Sequence, residues 1–492
     1  MSQSVYPLLY QINTRVWLTD LSQGLGRHAT LDDIPDIELD QLASLGFDWI
    51  WFMSVWCTGE KGRKISRENP TFRHDFEETL PDLKEEDIAG SGFAIADYKV
   101  NPDLGGDAAL ARLRKKLRNR GLKLMLDFVP NHMGPDHHWV EEHPDYFISG
   151  SESDLVNFPR NYARVNTSNG DLILAYGRDP YFDGWPDTYQ LDYSNPATAE
   201  AMLHELIRIS YQCDGVRCDM AMLLLPEVFE RIWGRSSRPF WPSAIKTVKE
   251  KVPGFCFLAE VYWDMEWTMQ QQGFDYAYDK RLCDRLREGH ARHVREHFFA
   301  DISYQDKLAR FLENHDEPRA ALTFDRKRHE AAAMLTFLSP GLRFFHHGQF
   351  EGRKKHVSPH LVRAPFEQVD TGIKSFYNDL LTILRRSEFR EGTWQLLECF
   401  PAWHGNESWD SFIAFRWKGK QGEKSVVIVN YAPYASQCYT NLCLPDLEDQ
   451  QVLFTDLMGK SEYLRDGNHL MERGIYIDLP PWEYHIFQIE IL

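Results

Sequence analysis

Two stretches decide the fold: Gly215-Val216-Arg217-Cys218-Asp219 and Phe257-Leu258-Ala259-Glu260-Val261. Each is a short apolar run that closes on a carboxylate. Two further stretches share the pattern, Leu124-Met125-Leu126-Asp127-Phe128-Val129-Pro130-Asn131-His132 and Phe311-Leu312-Glu313-Asn314-His315-Asp316. Apolar runs of this length read as strands buried on both faces, as in parallel sheets. A carboxylate at the end of such a strand is costly to bury unless it is paired or used. Asp219 and Glu260 fall one strand apart, and Arg217, two residues before Asp219, points to the same side of its strand.

Working outward, strands and helices alternate. Pro7 to Leu18 reads as a first strand, Asp36–Leu45 as a helix and Phe47–Phe52 as a second strand. Ala108, Leu110, Leu113 and Leu117 then recur at helical spacing up to Gly121, a C-terminal stop, before a third strand over Leu122–Val129. From 133 to 194 the chain is rich in Pro, Asp, Asn, Gly and aromatics and loses helical period, so it is expected to form a small inserted domain. Asn195-Pro196 is a cap followed by a first-turn proline, opening a helix to about Tyr211. Further strands are expected near Phe274–Tyr278, over Ala309–Asn314 and over Leu342–Phe345. Beyond 392, Phe412–Trp417, Ser425–Val429 and Tyr476–Leu479 are short strands between turns, the pattern of an antiparallel sandwich.

The chain has 492 residues, room for about three domains. Its net charge of −18 argues against a nucleic-acid partner, which needs a basic footprint. The start, Met1 to Pro7, shows no basic segment before an apolar run, and no stretch approaches the roughly 18 apolar residues of a membrane span. Eight unpatterned cysteines, without a Cys-x-x-Cys pair, fit a reduced cytoplasmic protein. The aromatic content of 13% supplies rings for the core and, at a site, flat surfaces on which sugars stack.

The order and content of the four stretches resemble the signature regions of the α-amylase family. That resemblance implies a (β/α)8 TIM barrel formed by residues 1–132 and 195–391, with a domain B inserted at 133–194 after the third strand and a C-terminal β-sandwich domain C at 392–492. It also implies a retaining glycoside hydrolase acting on α-glucans. Asp219 is then the nucleophile and Glu260 the acid and base, because retention needs two carboxyl groups about 5–5.5 Å apart. Arg217 is expected to hold Asp219 ionised, and Glu260 to be raised by apolar surroundings and the nearby anion. By the same resemblance Asp316 favours the distorted sugar ring of the transition state. His132 and His315 contact the first donor sugar, and Arg319 is a further subsite contact. Gly92-Phe93 matches a loop where a sugar-stacking tyrosine is usual, so Phe93 is expected to stack without a hydroxyl contact.

Two departures bear on this reading. Asn131 matches a residue that binds structural Ca²⁺ in many members, but Tyr189-Gln190-Leu191 stands where Pro-Asp-Leu is common. A cation is therefore expected not to be required, while Asn131 stands as the candidate ligand should Ca²⁺ bind. Asp219 is followed by Met220-Ala221-Met222-Leu223 instead of the Lys-His pair of many α-amylases, which leaves transglycosylation or glucan isomerisation (trehalose-synthase or maltosyltransferase type) as the alternative. An inactive scaffold would have lost Asp219 or Glu260, and both are present. His137-His138 and His346-His347 lack the further ligands that one metal would need.

Overall fold

The computed structural model describes residues 4–168, 170–444, 447–459 and 461–492. Met1, Ser2 and Gln3, the start of the segment inspected for a leader, lie outside the described residues. Eight parallel strands close into a barrel: β1 (Leu8–Asn13), β2 (Trp49–Met53), β3 (Lys123–Phe128), β4 (Gly215–Cys218), β5 (Cys256–Ala259), β6 (Tyr276–Tyr278), β7 (Leu308–Arg310) and β8 (Leu342–His346). Apart from Lys123 and Tyr276 at the starts of β3 and β6, every residue of these strands is buried. Helices outside and side chains inside leave no solvated face.

The register of β4 explains the site. Cys218 pairs with Phe128 of β3 and with Ala259 of β5. The next residues, Asp219 and Glu260, therefore leave adjacent strands side by side at the C-terminal end, the end at which such barrels hold their chemistry. Asp219 N–H bonds the Phe128 carbonyl at 2.8 Å and Glu260 N–H the Cys218 carbonyl at 3.1 Å, so both Cα positions are lashed to neighbouring strands.

The first strand is shorter than its sequence suggests. Apolar character continues through Val16-Trp17-Leu18, but Asn13 Oδ1 accepts from the Val16 N–H at 3.3 Å and caps a helix over Thr14–Leu25. The cap ends the strand although the residues beyond it remain apolar. The segment between β2 and β3 carries its own small layer, a strand pair Trp56–Thr58 with Ile95–Val100 and the helices Glu60–Glu68 and Pro70–Thr79.

Between β3 and the helix Pro196–Ser210, the chain makes a hairpin of Tyr162–Thr167 with Gly170–Ala175. A short ladder, His132–Met133 against Tyr189–Gln190, ties this excursion back to the end of β3.

The C-terminal region holds a six-stranded antiparallel sheet and a three-stranded one around a shared core that includes Cys399, Phe412, Ala414, Ile428 and Ile477. In the strand Phe412–Lys418 alternate residues serve different cores. Phe412 and Ala414 face the small sheet's side, whereas Ile413, Phe415 and Trp417 join the barrel's core. Trp417 is fully buried, donates its indole N–H to the Leu338 carbonyl at 2.7 Å and packs edge-on to Tyr6 with ring centroids 5.0 Å apart. Trp417→Ala is expected to destabilise the protein by about 3–5 kcal/mol in denaturant unfolding. A loss below about 1 kcal/mol would show that this ring does not bind the two cores together.

Candidate active site

One guanidinium organises the end of the barrel. Arg217 Nη1 lies 2.5 Å from Asp219 Oδ1 and Nη2 lies 2.6 Å from Glu260 Oε2, with Asp127 Oδ1 at 4.0 Å and Asp316 Oδ2 at 3.9 Å. The guanidinium carbon sits 5.2 Å from the Phe93 ring centre, 5.4 Å from Trp51 and 6.0 Å from Tyr278, so aromatic faces wall the cation where carboxylates do not. Because the rigid fork grips both carboxyl groups, it fixes their spacing as well as their charge.

Glu260 is held on both oxygens. Oε2 also accepts the Met220 backbone N–H at 2.7 Å, and the Tyr262 hydroxyl lies 2.9 Å from Oε1. Met220 reaches this position only by adopting φ 41°, a left-handed conformation rare for a residue with a side chain. Ser54, just past β2, does the same at φ 64° and gives its N–H to Asp127 Oδ2 at 2.9 Å. Trp263 and Asp264, shortly past Glu260, have φ 63° and 59°. At Met220 and Ser54 the strained turn thus aims an N–H at a carboxylate.

Burial pushes the Glu260 carboxyl up to about 7 against the pull of Arg217, with Asp219 and Asp316 adding to the rise. The buried Asp127 is likewise raised to about 7, first by desolvation. Asp219 is also raised by burial, despite Arg217. Arg217 pulls against that rise, as expected, but one cation shared with Glu260 offsets burial only in part.

Asp316 is the open member, its side chain 42% exposed at the mouth, though the surrounding protein still raises its carboxyl. His315 Nε2 lies 3.1 Å from Asp316 Oδ2, while its Nδ1 faces Gln11 Nε2 at 2.8 Å. An amide nitrogen donates, so Nδ1 accepts and the proton sits on Nε2, toward Asp316. Phe93 packs on His315 with centroids 5.2 Å apart, and its ring is half-buried between that imidazole and Arg217. His132 lies against Trp185 at 5.2 Å and is lowered to about 3 by burial. Gly177 closes on it so tightly that an added Cβ would fall 2.8 Å from His132 Cβ.

Two expectations need adjusting. Arg319 does not face the cleft: it is buried, paired to Glu313 at 2.5 Å, and bonded to the carbonyls of Lys355 and His347. Each of its three nitrogens bonds within the protein, so its guanidinium braces a loop. Asn131 does not offer a Ca²⁺ site either. Its backbone and side-chain oxygens both accept from Gln190 Nε2, at 2.9 and 3.1 Å, and no carboxylate is among the oxygens that this amide touches. Ca²⁺ takes about 6–8 oxygens, usually with carboxylates among them, so the donor set does not fit it. Among the described residues no group of three or more His, Cys, Asp or Glu is placed to hold a metal, which includes both histidine pairs. All eight cysteines are free.

Sequence reasoning passed over Gln11, Tyr262, Trp51 and Tyr278. Gln11 carried a signal, as the one polar residue among Leu8-Leu9-Tyr10-Gln11-Ile12 in a strand buried on both faces. Tyr262 and the aromatic walls had none, since rings in apolar runs read as core.

A family model for the α-amylase catalytic domain matches residues 30–395. The α-amylase MalA of Haloarcula japonica is 24% identical over 382 residues, covering 76% of this chain and 48% of that protein. The trehalose synthase/amylase TreS of Mycobacterium tuberculosis is 25% identical over 275 residues, 52% of this chain and 39% of its own. The chain thus spans about half the length, or less, of these curated relatives. Among solved structures, a maltogenic α-amylase, AmyB, from Thermotoga neapolitana superposes with a TM-score of 0.70 at 18% identity, covering 98% of both chains. The barrel, its strand-end carboxylates and the matching family model together place this chain in the α-amylase family.

Proposed function

We propose that the protein is a cytoplasmic retaining glycoside hydrolase that cleaves α-glucosidic bonds, with residues 1–132 and 195–391 as its catalytic barrel, 133–194 as domain B and 392–492 as domain C. The observation that carries the reading is the single buried guanidinium bonded to both Asp219 and Glu260. Asp219 Oδ attacks the anomeric carbon while Glu260 gives its proton to the departing glycosidic oxygen. The C–O bond to the leaving sugar breaks and an ester to Asp219 forms. Glu260, now a carboxylate, takes a proton from water, which attacks the anomeric carbon and releases Asp219. Asp316 and the neutral His315 bind hydroxyls of the donor sugar, and Phe93 covers one side of it.

A second reading, transfer to a sugar acceptor, is favoured by the wall behind Glu260. Tyr262 touches the acid/base itself, and Trp263 packs edge-on to Tyr181 of the inserted segment at 5.2 Å. Arg231 lies over both of these rings. An acceptor sugar stacked there would compete with water for the glycosyl-enzyme. Incubation with maltooligosaccharides, trehalose, sucrose and a branched glucan, followed by product analysis, separates the two. New oligosaccharides or isomerised disaccharide would mean transfer, and shorter products alone would mean hydrolysis.

Asp219→Asn is expected to keep the fold and to lower kcat by several orders of magnitude on the best substrate, because no ester can form. Retention of more than a few per cent would remove Asp219 from the nucleophile's role.

Glu260 must be protonated to act as acid and is raised to about 7, so kcat/KM should fall as pH rises through that value. A profile flat to pH 9 would contradict the assignment.

Glu260→Gln should depend on the leaving group. A glucose leaving group needs protonation and suffers severely, whereas an aryl or fluoride group keeps its first step and the glycosyl-enzyme accumulates. Added azide, which needs no base, should then restore turnover and give an α-glycosyl azide. A β-azide, or equal loss on both substrate types, would overturn the role.

A further inference from the structure

Gln190 is fully buried at the junction between the inserted segment and the end of β3. Its side-chain nitrogen lies 2.9 Å from the Asn131 carbonyl, 3.1 Å from Asn131 Oδ1 and 3.0 Å from the Leu191 carbonyl. Backbone carbonyls only accept, so the NH2 end of the amide must face them. Three oxygens from two chain segments thus converge on one neutral donor. The same crossing is reinforced by the Leu191 N–H to the Asn131 carbonyl at 3.1 Å and the Ile148 N–H to the Gln190 carbonyl at 2.9 Å.

Asn131 passes the constraint onward. With Oδ1 turned to Gln190, its Nδ2 lies 3.4 Å from His132 Nδ1. An amide NH2 only donates, so Nδ1 accepts and the ring's proton is on Nε2.

We propose that the Gln190 amide does for this chain what a bound cation does in metal-dependent members of the family: it gathers the oxygens of Asn131 and Leu191, locks the inserted segment to the barrel and, through Asn131, sets the orientation and tautomer of His132. Gln190 is a positioning residue, and the exchange of a doubly charged ligand for two N–H donors removes any need for metal at this junction.

Thermal unfolding of the purified wild-type chain should be unchanged, within about 1 °C, between EDTA and millimolar CaCl2, since the cage lacks the oxygens that Ca²⁺ requires. Gln190→Leu keeps bulk but strands two buried acceptors, Asn131 Oδ1 and the Leu191 carbonyl, and leaves the Asn131 carbonyl with the Leu191 N–H alone, so Tm should fall by several degrees, and calcium should not recover it. Through His132 it should raise KM by about threefold or more while kcat stays within about twofold. Gln190→Glu puts a carboxylate oxygen in the cage; its Tm should be depressed in EDTA and recover with CaCl2, with binding heat by calorimetry that the wild type lacks. Wild-type protein that carries stoichiometric calcium, or loses more than about 5 °C in EDTA, overturns the proposal. So does a Gln190→Leu protein unchanged in Tm and KM, or a Gln190→Glu protein indifferent to calcium. The KM measurement rests on the glucan reading above. The unfolding and calorimetric measurements do not, so a failure of that reading is told apart from a failure of this one.

Discussion

The site depends on a cation buried where water cannot help it. An isolated guanidinium inside a barrel would be prohibitively costly, and Arg217 is tolerated only because carboxylates meet its two terminal nitrogens and rings cover its faces. The dependence runs both ways. Asp219 and Glu260 would each be an uncompensated buried acid without Arg217, and together they carry more negative charge than one arginine balances. Burial raises Glu260 to about 7, which favours a proton there, and the proposed retaining mechanism needs that group protonated at the outset. On the proposed mechanism, charge balance in the resting protein and readiness for the first chemical step are the same condition.

The barrel delivers this arrangement through register. Cys218 opposite Ala259 makes Asp219 and Glu260 neighbours across one strand gap, and no loop has to be folded to bring them together. Loops supply the second layer: the left-handed turn at Met220 brings an N–H to Glu260, and Tyr262 brings a hydroxyl. The inserted segment supplies the third, packing Gly177 and Trp185 around His132.

Much of this was legible in the sequence because a carboxylate that closes a buried apolar strand must be either paired or used in chemistry. Barrel strands, the inserted segment and the C-terminal sheets followed from period and turn residues. What escaped was decided by partners that periodicity does not reveal. Arg319 looked like a cleft residue from its place after Asp316, but Glu313, six residues earlier, draws it inward. Asn13 ends a strand that its apolar successors would otherwise extend, because a single side-chain oxygen can start a helix. Gln190 read as the lack of an acid, and only its three bonds show that it is a donor with a task of its own.

The left-handed turns at Ser54, Met220, Trp263 and Asp264 carry a consequence for how the chain can change over time. Each holds a side-chain-bearing residue in a conformation that costs of order 1–3 kcal/mol. Glycine at these positions would ease the backbone but loosen the aim of an N–H or of an aromatic ring. Selection for heat resistance and selection for turnover therefore pull on the same few residues in opposite directions. The helices and the C-terminal sheets hold no comparable conflict at the carboxylates, so stabilising change is free to accumulate there while the rim of the barrel stays as it is.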